Sequence, residues 1–213
     1  MQASLQPLKN YTILAILAWF FSALIAGYYG VFAQPGRPPT YLGFFIAVPF
    51  AGFVAMYFGN PRFRAFTHSL SLPLIVGAHV WRYVGIGFVI AFLMGRLPPQ
   101  FGIPEGVGDI IAAVFSLPLA LALRQGKPVR SAFIAWNIFG LVDLLSAITM
   151  GVLYSEGSFG VLRTGVSTAL MTTFPVNLIP TFFVPSFILL HILALARSGE
   201  VGSPHSLERK MNV

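Results

Sequence analysis

Six long apolar runs constrain this chain more than any other feature: about Tyr11–Phe32, Tyr41–Phe58, Leu72–Gly95, Asp109–Leu123, Ser131–Leu153 and Leu178–Ala196. As a helix, a run of roughly 20 apolar residues covers the ~30 Å hydrocarbon core of a bilayer. The chain therefore reads as all-α, a polytopic transmembrane helical bundle of about six spans forming a single domain over residues 1–196. A polar tail, 197–213, follows. Only 9% of the residues are charged, against the roughly 25% of a soluble domain. The absence of cysteine excludes disulfides, thiolate metal sites and iron–sulfur clusters.

The basic residues sort by side. Nine of the thirteen Lys and Arg residues (Lys9, Arg62, Arg64, Arg124, Lys127, Arg130, Arg197, Arg209 and Lys210) fall at the termini and in the second and fourth connections. Arg37, Arg96 and Arg163 occupy the first, third and fifth. Basic residues resist translocation, so both termini are expected in the cytoplasm of a bacterial inner membrane. The net charge of +7 is then a topology signal with some attraction for anionic lipid, not a nucleic-acid surface. Lys9 and Val31-Phe32-Ala33 resemble a signal peptide, but the run of about 22 residues exceeds the usual roughly 7–15, so a retained first helix is expected.

Two connections on the outer side are unusual. Residues 97–109, Leu97-Pro98-Pro99-Gln100-Phe101-Gly102-Ile103-Pro104-Glu105-Gly106-Val107-Gly108-Asp109, hold three prolines and three glycines and remain apolar between them. Proline removes a backbone donor, so an irregular, partly buried loop is expected, and likewise for residues 170–180. Asp109 would then cap a short fourth helix of about 14 apolar residues, roughly 21 Å long. A short helix opening from such a loop is a feature of transporter binding sites. On the inner side, residues 61–71 read as an interfacial amphipathic turn leading into the third span.

Arg82 is the one basic residue inside a span, where charge is expensive and calls for a partner. At 1.5 Å per residue, His79 lies roughly 10 Å and Arg82 roughly 15 Å above the inner boundary. Asn137 and His191 lie at roughly 9 Å and Asp143 at roughly 18 Å. A lower layer (His79, Asn137, His191) and an upper one (Arg82, Asp143) result. Glu105 and Asp109 reach Arg82 from above. Asp143 is the first candidate counter-charge and Asp109 the second. The cluster is either a brace between helices or a site for a carboxylate, phosphate or proton. A dry, doubly bridged Arg82 would sink the transport reading, and one facing an accessible cavity would support the site. His79 and His191, at equal depth on different helices, also permit b-type haem ligation. Gly85, Gly87 and Gly140 read as close-packing positions, and Trp81 and Trp136 as core. Ser116, Ser146 and Thr149 have no His/Asp partner at motif spacing, so no catalytic residue is assigned, and no metal-site motif appears.

Trp81-Arg82, Gly85, Phe88, Gly95, Leu97-Pro98, Phe101, Pro104, Gly106 and Gly108-Asp109 form a linked WR..G..F......G.LP..F..P.G.GD pattern. With Trp136-Asn137, Gly140, Asp143-Leu144, Val184-Pro185 and His191, it resembles a group of bacterial six-helix integral membrane proteins of unassigned activity. The likeness covers about Arg62–Ala196 and implies architecture and polar positions only. Three functional readings follow. The first is transport or binding of a small solute, an anion among the candidates, or of a proton, around Arg82, Asp143, Asp109, Glu105 and Asn137. The second is a non-catalytic subunit or assembly factor of a membrane complex or homo-oligomer. The third is a membrane redox protein using His79 and His191. Membrane lipid is an expected partner and nucleic acid is not.

Overall fold

The computed structural model describes residues 2–202, with side chains from residue 6 onward. Residues 203–213, which include Arg209, Lys210 and most of the expected polar tail, lie outside the described residues. The described chain is helical, without a strand. Its elements are α1 (Gln2–Tyr28), α2 (Thr40–Gly59), α3 (Pro61–Ser69), α4 (Leu72–Gly77), α5 (Ile86–Leu93), α6 (Pro99–Arg124), α7 (Arg130–Leu153) and α8 (Val184–Ala196). A 3₁₀ segment, Ala78–Gly85, joins α4 to α5, and a π turn, Ile179–Phe183, precedes α8. Six stretches are long and apolar enough to cross a membrane: Gln6–Tyr28, Thr40–Gly59, Leu72–Leu93, Pro99–Arg124, Arg130–Leu153 and Ile179–Ala196.

The last four spans form the core, and α1 and α2 lie against its flank. No residue of α2 is buried. The termini-side end is tied together across the sequence. Arg197 donates from Nη1 to the Leu70 carbonyl at 2.6 Å and pairs with Glu200, whose Oε1 lies 3.3 Å from His68 Nδ1. At the opposite end the first and fifth connections pair: Gly36 N donates to Glu156 O and Ser158 N to Arg37 O. On the termini side, Leu72, Ile75, Val76, Leu119, Phe133, Trp136, Leu193 and Ala194 make a continuous apolar plug.

The fourth span differs from the expected loop and short helix. Residues 99–109 are helical, so α6 has 26 residues, about 39 Å at 1.5 Å per residue. Pro98 and Pro99 stand at the N-cap and N1 positions, where no amide donor is needed. Pro104 removes one ladder bond, which leaves the rest of the helix intact. Asp109 is therefore an interior residue of α6 and caps nothing. The glycines serve contact: a Cβ at Gly106 would lie 2.7 Å from the Gly85 carbonyl, and one at Gly102 2.6 Å from Phe92 Cβ. Small residues let α6 approach the third span backbone to backbone. By contrast, a Cβ on Gly87 would meet nothing within 4 Å, so Gly87 is not a packing position.

The short inner segment forms its own helix, α3, with the Asn60 side chain accepting from the amides of Arg62 and Phe63. Phe63 and Phe66 are buried, and the chain turns extended at Leu70 before α4. Of residues 170–180, 173–177 are irregular, as expected, between a 3₁₀ turn at Ala169–Thr172 and the π turn that begins at Ile179. Their backbone is held by buried Asn177, whose side chain donates to the Ala23 carbonyl at 3.1 Å.

Candidate functional site

The 3₁₀ segment is what aligns the third span's polar residues. Side chains three apart eclipse in a 3₁₀ helix, so His79, Arg82 and Gly85 form one line, and all three are buried. The same geometry turns Trp81 away from the bundle, 73% exposed. Its expected core position is thus incorrect, while Trp136 is buried and donates from Nε1 to the Ala112 carbonyl at 3.0 Å.

Arg82 is completely buried and every nitrogen is engaged. Nε donates to Asp109 Oδ1 at 2.7 Å, and Nη2 pairs with Asp143 Oδ2. Nη1 faces His191 Nε2 at 3.3 Å and the Gly140 carbonyl at 3.5 Å. The bonds then run on through the lower layer. Asn137 Nδ2 donates to the Phe133 carbonyl at 2.8 Å, which leaves Asn137 Oδ1 as the acceptor for His191 Nδ1 at 2.9 Å. His191 therefore carries its proton on Nδ1 and accepts from Arg82 at Nε2. Two glycines make room. A Cβ on Gly140 would collide with His191 and Arg82, and one on Gly108 with Asp143.

His79 is also fully buried, but neither ring nitrogen has a partner. Its ring lies 4.0 Å from that of His191, centroid to centroid, and 5.0 Å from Trp136. Two imidazoles in mutual contact leave no room for a porphyrin between them, and His191 has both nitrogens committed to Asn137 and Arg82. The pair does not fit haem ligation. Among the described residues no group of three or more His, Asp and Glu side chains is arranged to hold a metal ion.

Glu105 does not reach Arg82. Its Oε1 accepts from Ser146 Oγ at 2.8 Å, and its Oε2 is buried without a partner. Sequence spacing gave no sign of Ser146: it is 41 positions from Glu105, on another helix. An acid and a hydroxyl of complementary depth on α6 and α7 would have been the only available signal.

Above this cluster lies a cavity of about 220 Å³. Glu105, Asp109 and Asp143 are among its lining residues, and Arg82 and Asn137 are not. Phe88, Phe101, Leu144, Ile148 and Met171 supply apolar wall, and Arg37, Gln34 and Glu156 belong to the rim formed by the first and fifth connections. The cavity thus lies on the side away from the termini, and the apolar plug closes the other side. The expectation that Arg82 would present a free guanidinium to an anion does not survive this geometry. The arginine is dry and doubly bridged, which counts against transport of a solute by way of Arg82, while its carboxylate partners face the accessible space.

Residues 39–197 match the family described as a domain of unknown function (DUF8737). The chain belongs to this family. The matched region runs from the start of α2 to the end of α8 and includes the whole Arg82 cluster. No curated protein and no solved structure matches the chain.

Proposed function

We propose that this protein, in a bacterial inner membrane, binds a small solute in the cavity above Arg82, with the carboxylates of the cavity and not the dry, doubly bridged arginine as the recognising groups. The observation that carries this reading is the cavity itself: its buried end is bordered by three carboxylates, and its other end reaches the connections opposite the termini. Concave, mostly apolar sites with a few convergent polar groups are where small ligands bind. The charge asymmetry of the connections supports cytoplasmic termini, so the cavity would open outward. The resemblance to bacterial six-helix membrane proteins supports the choice of membrane. A proton is a second candidate ligand, since Asp143, Arg82 and His191 are linked in one chain of contacts.

A different observation favours a second reading. Arg82 is enclosed and fully paired, as a strut would be, and α2 has no buried residue. In that reading the protein is a structural subunit of a larger membrane complex and the cavity is incidental.

A cavity-filling change separates the two. Ala147 lines the cavity on α7 and is partly buried. Ala147→Trp should abolish solute-dependent thermal stabilisation of the purified protein while leaving its abundance close to wild type. A wild-type protein that no small solute stabilises, yet which co-purifies with one larger complex, would overturn the solute-binding reading.

A further inference from the structure

We propose that the ligand of this cavity is a small organic cation with an ammonium head and a compact apolar body; the inference rests on the solute-binding reading above. Glu105 has an unmet hydrogen bond. The residue is only 2% exposed, and Oε2 has no hydrogen-bond partner, although Oε1 is held by Ser146. A buried carboxylate oxygen without a donor is costly, and more so at membrane depth, where no bulk water compensates it. Buried polar groups in folded proteins are nearly always paired, so an orphan oxygen on a residue that lines a cavity calls for a donor from the cavity's occupant.

Charge points the same way. Glu105, Asp109, Asp143 and Glu156 border the cavity, with Arg37 among the lining residues and Arg82 behind the floor. Arg82 already serves Asp109 and Asp143 and makes no bond to Glu105. The unmet need is therefore for positive charge and N–H donors, which an ammonium supplies as strong, charge-assisted bonds. Size limits the rest of the ligand. An apolar cavity of about 150 Å³ holds benzene, so about 220 Å³ admits one ring or a short alkyl chain beside the head group. Phe88, Phe101 and Ile148 would contact that body.

Benzylamine, benzyl alcohol and benzoate share one ring and differ in head-group charge, which makes them a direct probe. Thermal unfolding of the full chain in detergent should show a dose-dependent rise in Tm with benzylamine. The other two should require about tenfold higher concentration for the same shift, the margin expected of one charge-assisted bond. Glu105→Gln should remove the advantage of the amine and leave the response to benzyl alcohol unchanged, and Ala147→Trp should remove all three responses. An equal or larger shift with benzyl alcohol or benzoate overturns the cation assignment and leaves solute binding standing. So does an amine advantage that persists in Glu105→Gln. No shift with any probe, or shifts that persist in Ala147→Trp, would overturn this inference together with the reading beneath it.

Discussion

At the residue scale, Arg82 is enclosed by groups from α6, α7 and α8. Its side chain is 1% exposed, and Asp109 and Asp143 neutralise it from two different helices. Removing one partner of a buried ion pair typically costs ~3–5 kcal/mol, because the remaining charges stay buried and unpaired. Arg82→Ala should therefore destabilise the protein by about that amount in detergent unfolding. Combining it with Asp143→Asn should cost less than the two single changes added, since the double change leaves fewer orphan charges. Equal additivity would remove the direct coupling. The Arg82–Asp143 pair and the His191–Asn137 pair were both legible in the sequence, because a helix rises 1.5 Å per residue and equal depth can be counted from an edge. The role of Glu105 was not: depth says which groups share a layer, not which way they face. His79 stands outside every bond network, and nothing in the structure explains its two unpartnered nitrogens.

At the element scale, proline and glycine behaved differently from a solvent-exposed chain. Pro98 and Pro99 start α6 instead of preventing it, and Gly102, Gly106 and Gly108 are contact points for the third and fifth spans. Local propensity predicts a loop there, and tertiary packing in an apolar surrounding overrides it. The sixth span shows a related device. Pro185 cannot donate to the Thr181 carbonyl, and the indole of Trp19 does so instead at 3.0 Å. The 3₁₀ segment in the third span had no sequence signal, and it sets His79, Arg82 and Gly85 in one buried line while Trp81 faces outward. The C-terminal turn offers a test outside the membrane. Burial pushes the Glu200 carboxyl up, but bonding to Arg197 and His68 outweighs this and holds it below its ordinary 4.5. A depressed carboxyl stabilises the folded state above its unfolded pKa and loses that contribution as pH falls through the folded value. Protection of residues 197–202 against hydrogen exchange should thus hold from neutral pH to about 4.5 and fall below it. In Glu200→Gln it should be low throughout.

At the scale of the whole molecule, the second to sixth spans and the first and fifth connections line a cavity that stops at a charged floor and an apolar plug. The number of spans and the sorting of basic residues followed from hydropathy, because a bilayer imposes a length and a side on every helix. The cavity did not, since it forms where irregular residues 168–173 and the first connection meet α6 and α7. The protein's lack of cysteine makes its accessibility directly measurable. In sealed membranes, a single cysteine placed at Ala147, on the cavity wall, should react with a membrane-impermeant maleimide added from the side opposite the termini. It should not react from the termini side, and a cysteine at Val76, in the plug, should be silent from both. Labelling of the Ala147 position from the termini side, or from neither side, would contradict a one-sided cavity seated on the Arg82 cluster.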